Sequence, residues 1–247
     1  MPPEAPKKIL VVQLRRLGDV ILTTQALAAL KKRYPGAILD FLTETPGAEA
    51  VAGHPAIDET LVYDAAGPLG ALAWALKIRA RRYDWVIDFL ANPRTALLTA
   101  LSGAAVKAGP AHVRRSWAYN HKMLQPAKAC YTGLEKVLWL AELGVTAADA
   151  PALPQLFLAK RPERVENVIG LNPPSRQVTR RWPAASYARL GRLLRDQHGS
   201  RLKVFWGPGE KDLADEVVRG IGAGAEAIPE TRTHACRLLA SCVSIAG

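Results

Sequence analysis

Cysteine is scarce in this chain. Cys130, Cys236 and Cys242 are the whole complement, an odd number with no C-x-x-C spacing. They give no basis for a disulfide framework or a cysteine-built zinc site, and they read as reduced thiols. Aromatic residues are few as well, at 6%, and they are not interleaved with basic residues along a ribbon. Zinc-finger spacing and RNP-like strands are also missing, so nucleic acid is not expected as a partner. No apolar run approaches the ~18 to 20 residues of a membrane span. The opening MPPEAPKK lacks the apolar stretch of a signal peptide, which makes the cytoplasm the expected location. Carboxylates fall short of cations, 22 against 33, and the net charge of +11 is spread along the chain. A field of that sign draws in polyanions: nucleotide diphosphates, phosphorylated sugars or an anionic membrane surface.

What the chain has in quantity is apolar residue, 49% of 247, enough for one large or two small α/β domains. The first half alternates strand-like and helix-like runs. KILVVQL (8–14) reads as a buried strand, and Val20 to Arg33 carries Ile21, Leu22, Leu27 and Leu30 at roughly helical spacing before Tyr34-Pro35-Gly36 stops it. AILDFL (37–42), ETLVYD (59–64), DWVIDFL (84–90) and AVKAG (105–109) continue the strands, with a Pro, Gly and His-rich loop after the second. Helices are expected over 69–82 and 95–102. Strands separated by helices of this length imply right-handed crossovers and a parallel sheet.

Residues 110–130 break the rhythm with a long basic segment, and a loop of this kind is more often functional than structural. A helix over 134–143 closes the first domain, expected to span 1–148. The Ala- and Pro-rich stretch 149–164 reads as a linker. A second α/β run occupies 165–247: strands at 167–173 and 201–207, helices at 184–198 and 210–219, a short EAIP strand, a helix over 233–241 and a final VSIAG. Two full strands and three helices, with only scraps besides, make a thin domain, and the expectation is an incomplete second half.

LRRLGDVILTTQAL (14–27) places one carboxylate, Asp19, between the first strand and its helix. An aspartate there can cap the helix by accepting free N–H groups. It can equally stand at the carboxyl end of the strand, where open α/β sheets hold ligands. Arg15 and Arg16 place two cations beside it, which favours the ionised form but weakens a base.

NPPSRQVTRRWP (172–183) offers Ser175, Thr179, Arg180 and their neighbours beside a helix start, a combination that suits a diphosphate or simply a solvated basic loop. WGPGEKD (206–212) is a glycine turn in which Glu210 either meets sugar hydroxyls or sits in the first turn of a helix. The five histidines show no metal-ligand spacing, and no serine stands in a nucleophile elbow.

Taken in order, KILVVQLRRLGDVILTTQALAALKKRYPGAILDFL, HPAIDETLVYD, RRYDWVIDFLANPRTALLTALSGAAVKAG, SRQVTRRWPAASYARL and VFWGPGEKDLA resemble glycosyltransferase family 9, the ADP-heptose lipopolysaccharide heptosyltransferases, over nearly the whole chain. The ETPG and HPAID portion is most similar to the heptosyltransferase III-like branch. The resemblance implies a GT-B enzyme, two Rossmann-like domains with parallel sheets facing a cleft, the second incomplete. It implies inverting transfer of heptose from ADP-heptose to the inner core of lipopolysaccharide, with no cofactor and no metal.

By that similarity Asp19 matches the catalytic base. Ser175, Thr179, Arg180 and Glu210 would hold the donor diphosphate, and Arg15, Arg16, Arg114, Arg115, His121 and Lys122 the lipopolysaccharide core and lipid A acceptor, at a peripheral contact with the cytoplasmic face of the inner membrane. Where the family carries a lysine ahead of Trp-Pro, this chain has Arg180, which holds phosphate in a different geometry. The family continues beyond the match to Gly247 with an N/D-S/T-G-P-x-H donor segment, so the sequence reads as C-terminally truncated. The alternatives are a non-catalytic remnant that binds core or nucleotide, and a family 9 transferase using another nucleotide sugar.

Overall fold

A computed structural model describes residues 3–157, 166–175 and 178–228. The chain divides into two compact units, Met1–Phe157 and Leu158–Gly247. In the first, β1 (Lys8–Val12), β2 (Ile38–Thr43), β3 (Glu59–Val62), β4 (Trp85–Asp88), β5 (Val106–Pro110) and β6 (His121–Met123) form one sheet in the order β3-β2-β1-β4-β5-β6. Every pairing is parallel. β1 lies between β2 and β4, with Val12 opposite both Leu42 and Asp88.

The strands are apolar on both faces because both faces are covered. Ile9, Val11, Phe41 and Ile87 pack with Leu27 and Leu30 of α1 (Leu17–Arg33) and with Val137 of α5 (Thr132–Leu138). Leu10, Val12, Leu42 and Val86 pack on the other side with Trp74, Ala75 and Ile78 of α3 (Gly67–Ala80) and Leu98 of α4 (Pro93–Leu101). Burying each of the larger side chains contributes about 1.5 to 3 kcal/mol. α4 is nucleated by a capping box, in which the Asn92 side chain accepts from the Thr95 N–H at 2.9 Å and Thr95 Oγ1 accepts from the Asn92 N–H at 3.1 Å.

Two segments differ from expectation. The loop after β2 contains a short helix, α2 (Thr45–Val51). Pro46 is compatible with a helix's first turn, where its missing N–H costs nothing. The basic segment 110–130 is not a plain loop: a 3-10 turn over Ser116–Ala118 leads into β6, which extends the sheet beside β5. Of the expected linker 149–164, the structure describes 149–157. Within 149–157, Pro151 O and Ala152 O accept from Gln25 Nε2 at 2.8 and 3.0 Å, and Gln155 N donates to Thr24 Oγ1, so this part packs on the first unit.

The second unit holds β7 (Val168–Leu171), β8 (Arg201–Val204) and β9 (Ala225–Ala227), parallel in that order, with α6 (Ala184–His198) and α7 (Lys211–Ile221). Leu202, Val204, Ala214, Val217 and Ile221 form its core. α6 ends at Gly199, whose φ of 61° is the left-handed conformation that glycine adopts without a Cβ penalty. The helix expected at 233–241, the final VSIAG, Cys236 and Cys242 lie outside the described residues.

Candidate active site

The strand order reverses between β1 and β4, since β2 and β3 extend one way from β1 and β5 and β6 the other. Ligands of open α/β sheets bind at the carboxyl edge at such a switch point. The β1–α1 and β4–α4 connections meet that condition.

In the first connection the backbone is strained. Arg16, the N-cap of α1, has φ 63° and ψ 106° and contributes no side-chain cap. Asp19 is the third residue of α1 and half-buried, and its carboxylate accepts no hydrogen bond and joins no ion pair among the described residues. The cap reading therefore does not describe it: the carboxylate is left available on a rigid first turn. Arg15 does not face it in an ion pair either, because its Nε bonds Glu44 Oε1 at 3.1 Å.

Beneath that turn lies Lys136, a buried lysine that sequence reasoning passed over. Its ammonium donates to Gln13 Oε1 at 2.9 Å, Thr23 Oγ1 at 2.7 Å and the Asp19 carbonyl at 3.2 Å. Gln13 in turn donates to the Arg15 carbonyl at 3.0 Å, so one cation ties both ends of the strained loop. The Phe89 ring lies 5.3 Å from the nitrogen. Burial lowers the Lys136 pKa to about 8, with the negative charge of Asp19 opposing the shift. The signal was present in the spacing: Gly133, Lys136, Val137 and Leu140 share one face of a helical repeat, and that face is apolar apart from the lysine.

The β4–α4 connection is organised by a second missed residue, Asp88, wholly buried at the end of β4. Oδ1 accepts from the N–H groups of Leu90 and Ala91 at 3.0 and 2.9 Å, and Oδ2 from Tyr119 Oη at 2.8 Å. Burial raises the Asp88 pKa despite these bonds, and the Tyr119 hydroxyl is raised by burial and then by the Asp88 charge. A carboxylate inside WVIDFL was its only advance sign.

Of the expected acceptor contacts, Arg115 reaches this edge, donating from Nε to the Ala91 carbonyl at 3.2 Å. Arg114 is exposed in the approach to the 3-10 turn. His121 and Lys122 are not in a loop at the carboxyl edge. They lie in β6, opposite Ala108 and Gly109, because the short strand pairs along β5. A ring nitrogen of His121 is 3.1 Å from Asn120 Oδ1.

In the second unit, Ser175, Thr179 and Arg180 follow β7, and Glu210 follows β8, so the four share the carboxyl edge of neighbouring parallel strands. The Ser175 carbonyl accepts from Arg181 Nε at 2.7 Å, while Thr179 and Arg180 are exposed in a 3-10 turn over Val178–Arg180. Glu210 Oε2 accepts from the Gly207 N–H at 3.0 Å and closes the glycine turn. One oxygen of Glu210 is thus committed to local structure. Among the described residues, no group of three His, Cys, Asp or Glu side chains is gathered as a metal site.

Residues 71–246 match glycosyltransferase family 9 (heptosyltransferase). The chain belongs to glycosyltransferase family 9. Within the family it is 26% identical to lipopolysaccharide heptosyltransferase 1 of Escherichia coli O18:K1:H7 (strain RS218 / NMEC), over 90% of this chain and 74% of that protein. It is 25% identical to lipopolysaccharide heptosyltransferase 3 of Escherichia coli K12, over 84% of this chain and 66% of that one. The structure of E. coli heptosyltransferase WaaC with ADP-2-deoxy-2-fluoro heptose superimposes with a TM-score of 0.76 at 25% identity, covering 94% of this chain and 79% of WaaC. A family 9 transferase from Veillonella parvula DSM 2008 shares the fold, with a TM-score of 0.82 at 22% identity, over 95% of this chain and 72% of that one. The parallel sheets are those of the GT-B heptosyltransferases.

Proposed function

We propose that this family 9 glycosyltransferase transfers heptose from ADP-heptose to the inner core of lipopolysaccharide, working at the cytoplasmic face of the inner membrane. The observation that carries the reading is the uncommitted Asp19 carboxylate, held on the first turn of α1 beside the switch point of the sheet. Membership of the family supports the reaction class, and the ADP-heptose analogue in the WaaC structure supports the donor.

Asp19 takes the proton of an acceptor hydroxyl as that oxygen attacks the anomeric carbon. The bond from that carbon to the β-phosphate oxygen breaks, its electron pair leaves with ADP, and attack from the opposite face inverts the centre. Negative charge develops on the departing diphosphate, and fixed donors there lower the barrier. Arg180, Thr179 and Ser175 supply a guanidinium and hydroxyls without a metal, and Arg115 and Arg114 supply positive charge for a phosphorylated acceptor.

The test is ADP release from ADP-heptose and a water-soluble truncated core acceptor. Asp19→Asn, nearly isosteric, is expected to lose turnover while keeping the wild-type melting temperature. Unchanged kcat would remove Asp19 from the reaction, and no ADP release from folded wild-type protein would favour a binding role for the chain. Tight UDP binding with none for ADP would contradict the heptose donor.

A further inference from the structure

On α3 the apolar residues occupy two opposite faces. Ala71, Trp74, Ala75 and Ile78 are buried against the sheet, while Leu69, Leu72 and Leu76, spaced i, i+3, i+7 on the outer side, are 83%, 50% and 59% exposed. α4 lies beside it on the same sheet face and leaves Leu97 and Leu101 about two-fifths exposed. Five outward leucines on two adjacent helices form a surface that a water-soluble protein seldom leaves bare. The 3-10 turn packed beside α4 adds exposed Trp117.

The charges on the two helices have one sign. Neither α3 nor α4 contains a carboxylate. At 100° per residue, Lys77 and Arg79 flank the leucine stripe on its two sides, and Arg82 and Arg94 stand near its ends. None of these four is in an ion pair among the described residues. Lys77 lies over the Trp74 ring at 4.2 Å, and Arg79 reaches the Leu101 carbonyl at 3.5 Å, between the two helices. The neighbouring carboxylates are engaged: Glu59 pairs with Arg81, and Asp64 accepts from Trp74 Nε1 at 2.9 Å.

We propose that the outer face of α3 and α4 is a docking surface for an anionic lipid bilayer, with the leucines seated at the acyl boundary and Lys77, Arg79, Arg82 and Arg94 among the phosphates. A leucine stripe rimmed by cations that join no ion pair among the described residues is the composition of an interfacial helix, bound by apolar burial together with attraction to anionic headgroups. No helix among the described residues is long and apolar enough to cross a membrane. The choice of a lipid surface rests on the lipid-borne acceptor of the proposed function. The pairing of leucines with cations is independent of it.

Flotation of the full chain with vesicles of phosphatidylglycerol and phosphatidylcholine tests the proposal. Wild-type protein is expected to bind vesicles rich in phosphatidylglycerol and to lose binding as salt rises. The variant L69Q/L72Q/L76Q is expected to bind at least about tenfold more weakly, with an unchanged circular dichroism spectrum. K77Q/R79Q/R82Q is expected to lose about tenfold or more on anionic vesicles and little on pure phosphatidylcholine. Undiminished binding in the leucine variant overturns the proposal. So does a wild-type dimer that the same substitutions convert to monomer, since a second copy then covers the face. ADP release with the soluble acceptor separates this surface from the reaction: the leucine variant is expected to keep it. If wild-type protein floats through these leucines yet releases no ADP, the docking surface stands and the transferase reading falls.

Discussion

The ammonium of Lys136 stands 3.2 Å from the backbone carbonyl of Asp19, and the aspartate's own carboxylate, whose charge favours that ammonium, accepts no hydrogen bond among the described residues. A cation placed under the turn, bonded to Gln13 and Thr23 as well, orders the turn without consuming the carboxylate. The arrangement stores a cost, because the charge is buried and its pKa is lowered to about 8.

That cost is readable as pH-dependent stability. Folded Lys136 releases its proton near pH 8, whereas the unfolded side chain holds it to about 10.4. Between those values the unfolded state binds more protons, so stability rises with pH by up to about 3 kcal/mol. Urea unfolding of wild-type protein from pH 7.5 to 9.5 is expected to show the rise, and Lys136→Met to show a flat line. A parallel rise in both proteins would place its cause elsewhere.

His54 is the acid-side counterpart. It is buried, with Nδ1 accepting from the Ala56 N–H at 3.2 Å and Nε2 without a hydrogen-bond partner among the described residues, and burial lowers its pKa to about 4. The folded state keeps it neutral, so its contribution is full above about pH 6.5 and is lost as pH falls toward 4, roughly 3 kcal/mol in all. His54→Asn keeps an acceptor and removes the titration. Thermal unfolding at pH 7 and 4.5 is expected to show a smaller acid loss in the variant, and an equal loss would remove His54 as the cause.

Gly109 has no room for a side chain. A Cβ there would sit 2.5 Å from the Tyr119 ring, whose hydroxyl donates to Asp88. Gly109→Ala is expected to cost about 1 to 3 kcal/mol by overpacking. Tyr119→Phe is expected to cost a similar amount by leaving the buried carboxylate short of a donor. The double variant should lose less than their sum, since a methyl that displaces the ring also breaks the Tyr119–Asp88 bond that the Phe variant has already lost. Strict additivity in denaturant unfolding would mean that the added methyl leaves that bond intact.

Arg180 is exposed and unpaired among the described residues, which leaves its guanidinium free for an anion. Arg180→Ala is expected to weaken ADP binding by roughly 1.5 to 3 kcal/mol, the worth of a charge-assisted hydrogen bond. Titration calorimetry measures it. A loss confined to the acceptor would move Arg180 to the other half of the reaction.

Several features were legible from local pattern alone. ILVV within β1 and WVI within β4 are apolar runs, as strands covered on both faces require, and α6 spans 184–198 as its pattern implied. α2 was hidden because Pro46 and Gly47 look like loop residues. Gly47 is required there by packing, since an added Cβ would collide with the Thr43 hydroxyl on β2. β6 has three residues of mixed character and draws its identity from β5. The pairing of Arg15 with Glu44 joins residues 29 apart, and no reading of neighbours around Asp19 could anticipate it.

By itself the sequence determined the alternation of strand and helix, and with it the polarity of each strand. That was enough to put Asp19 at the carboxyl end of β1 and Arg180 after β7, because a residue that follows a parallel strand must emerge at that edge. The tertiary structure alone decided which edges are neighbours. Placing β1 between β2 and β4 brings the Asp88 turn beside the Asp19 turn and closes Lys136 beneath it. Strand order and the burial of a lone charge are settled by covering both faces of the sheet at once, and that requirement couples residues more than a hundred positions apart.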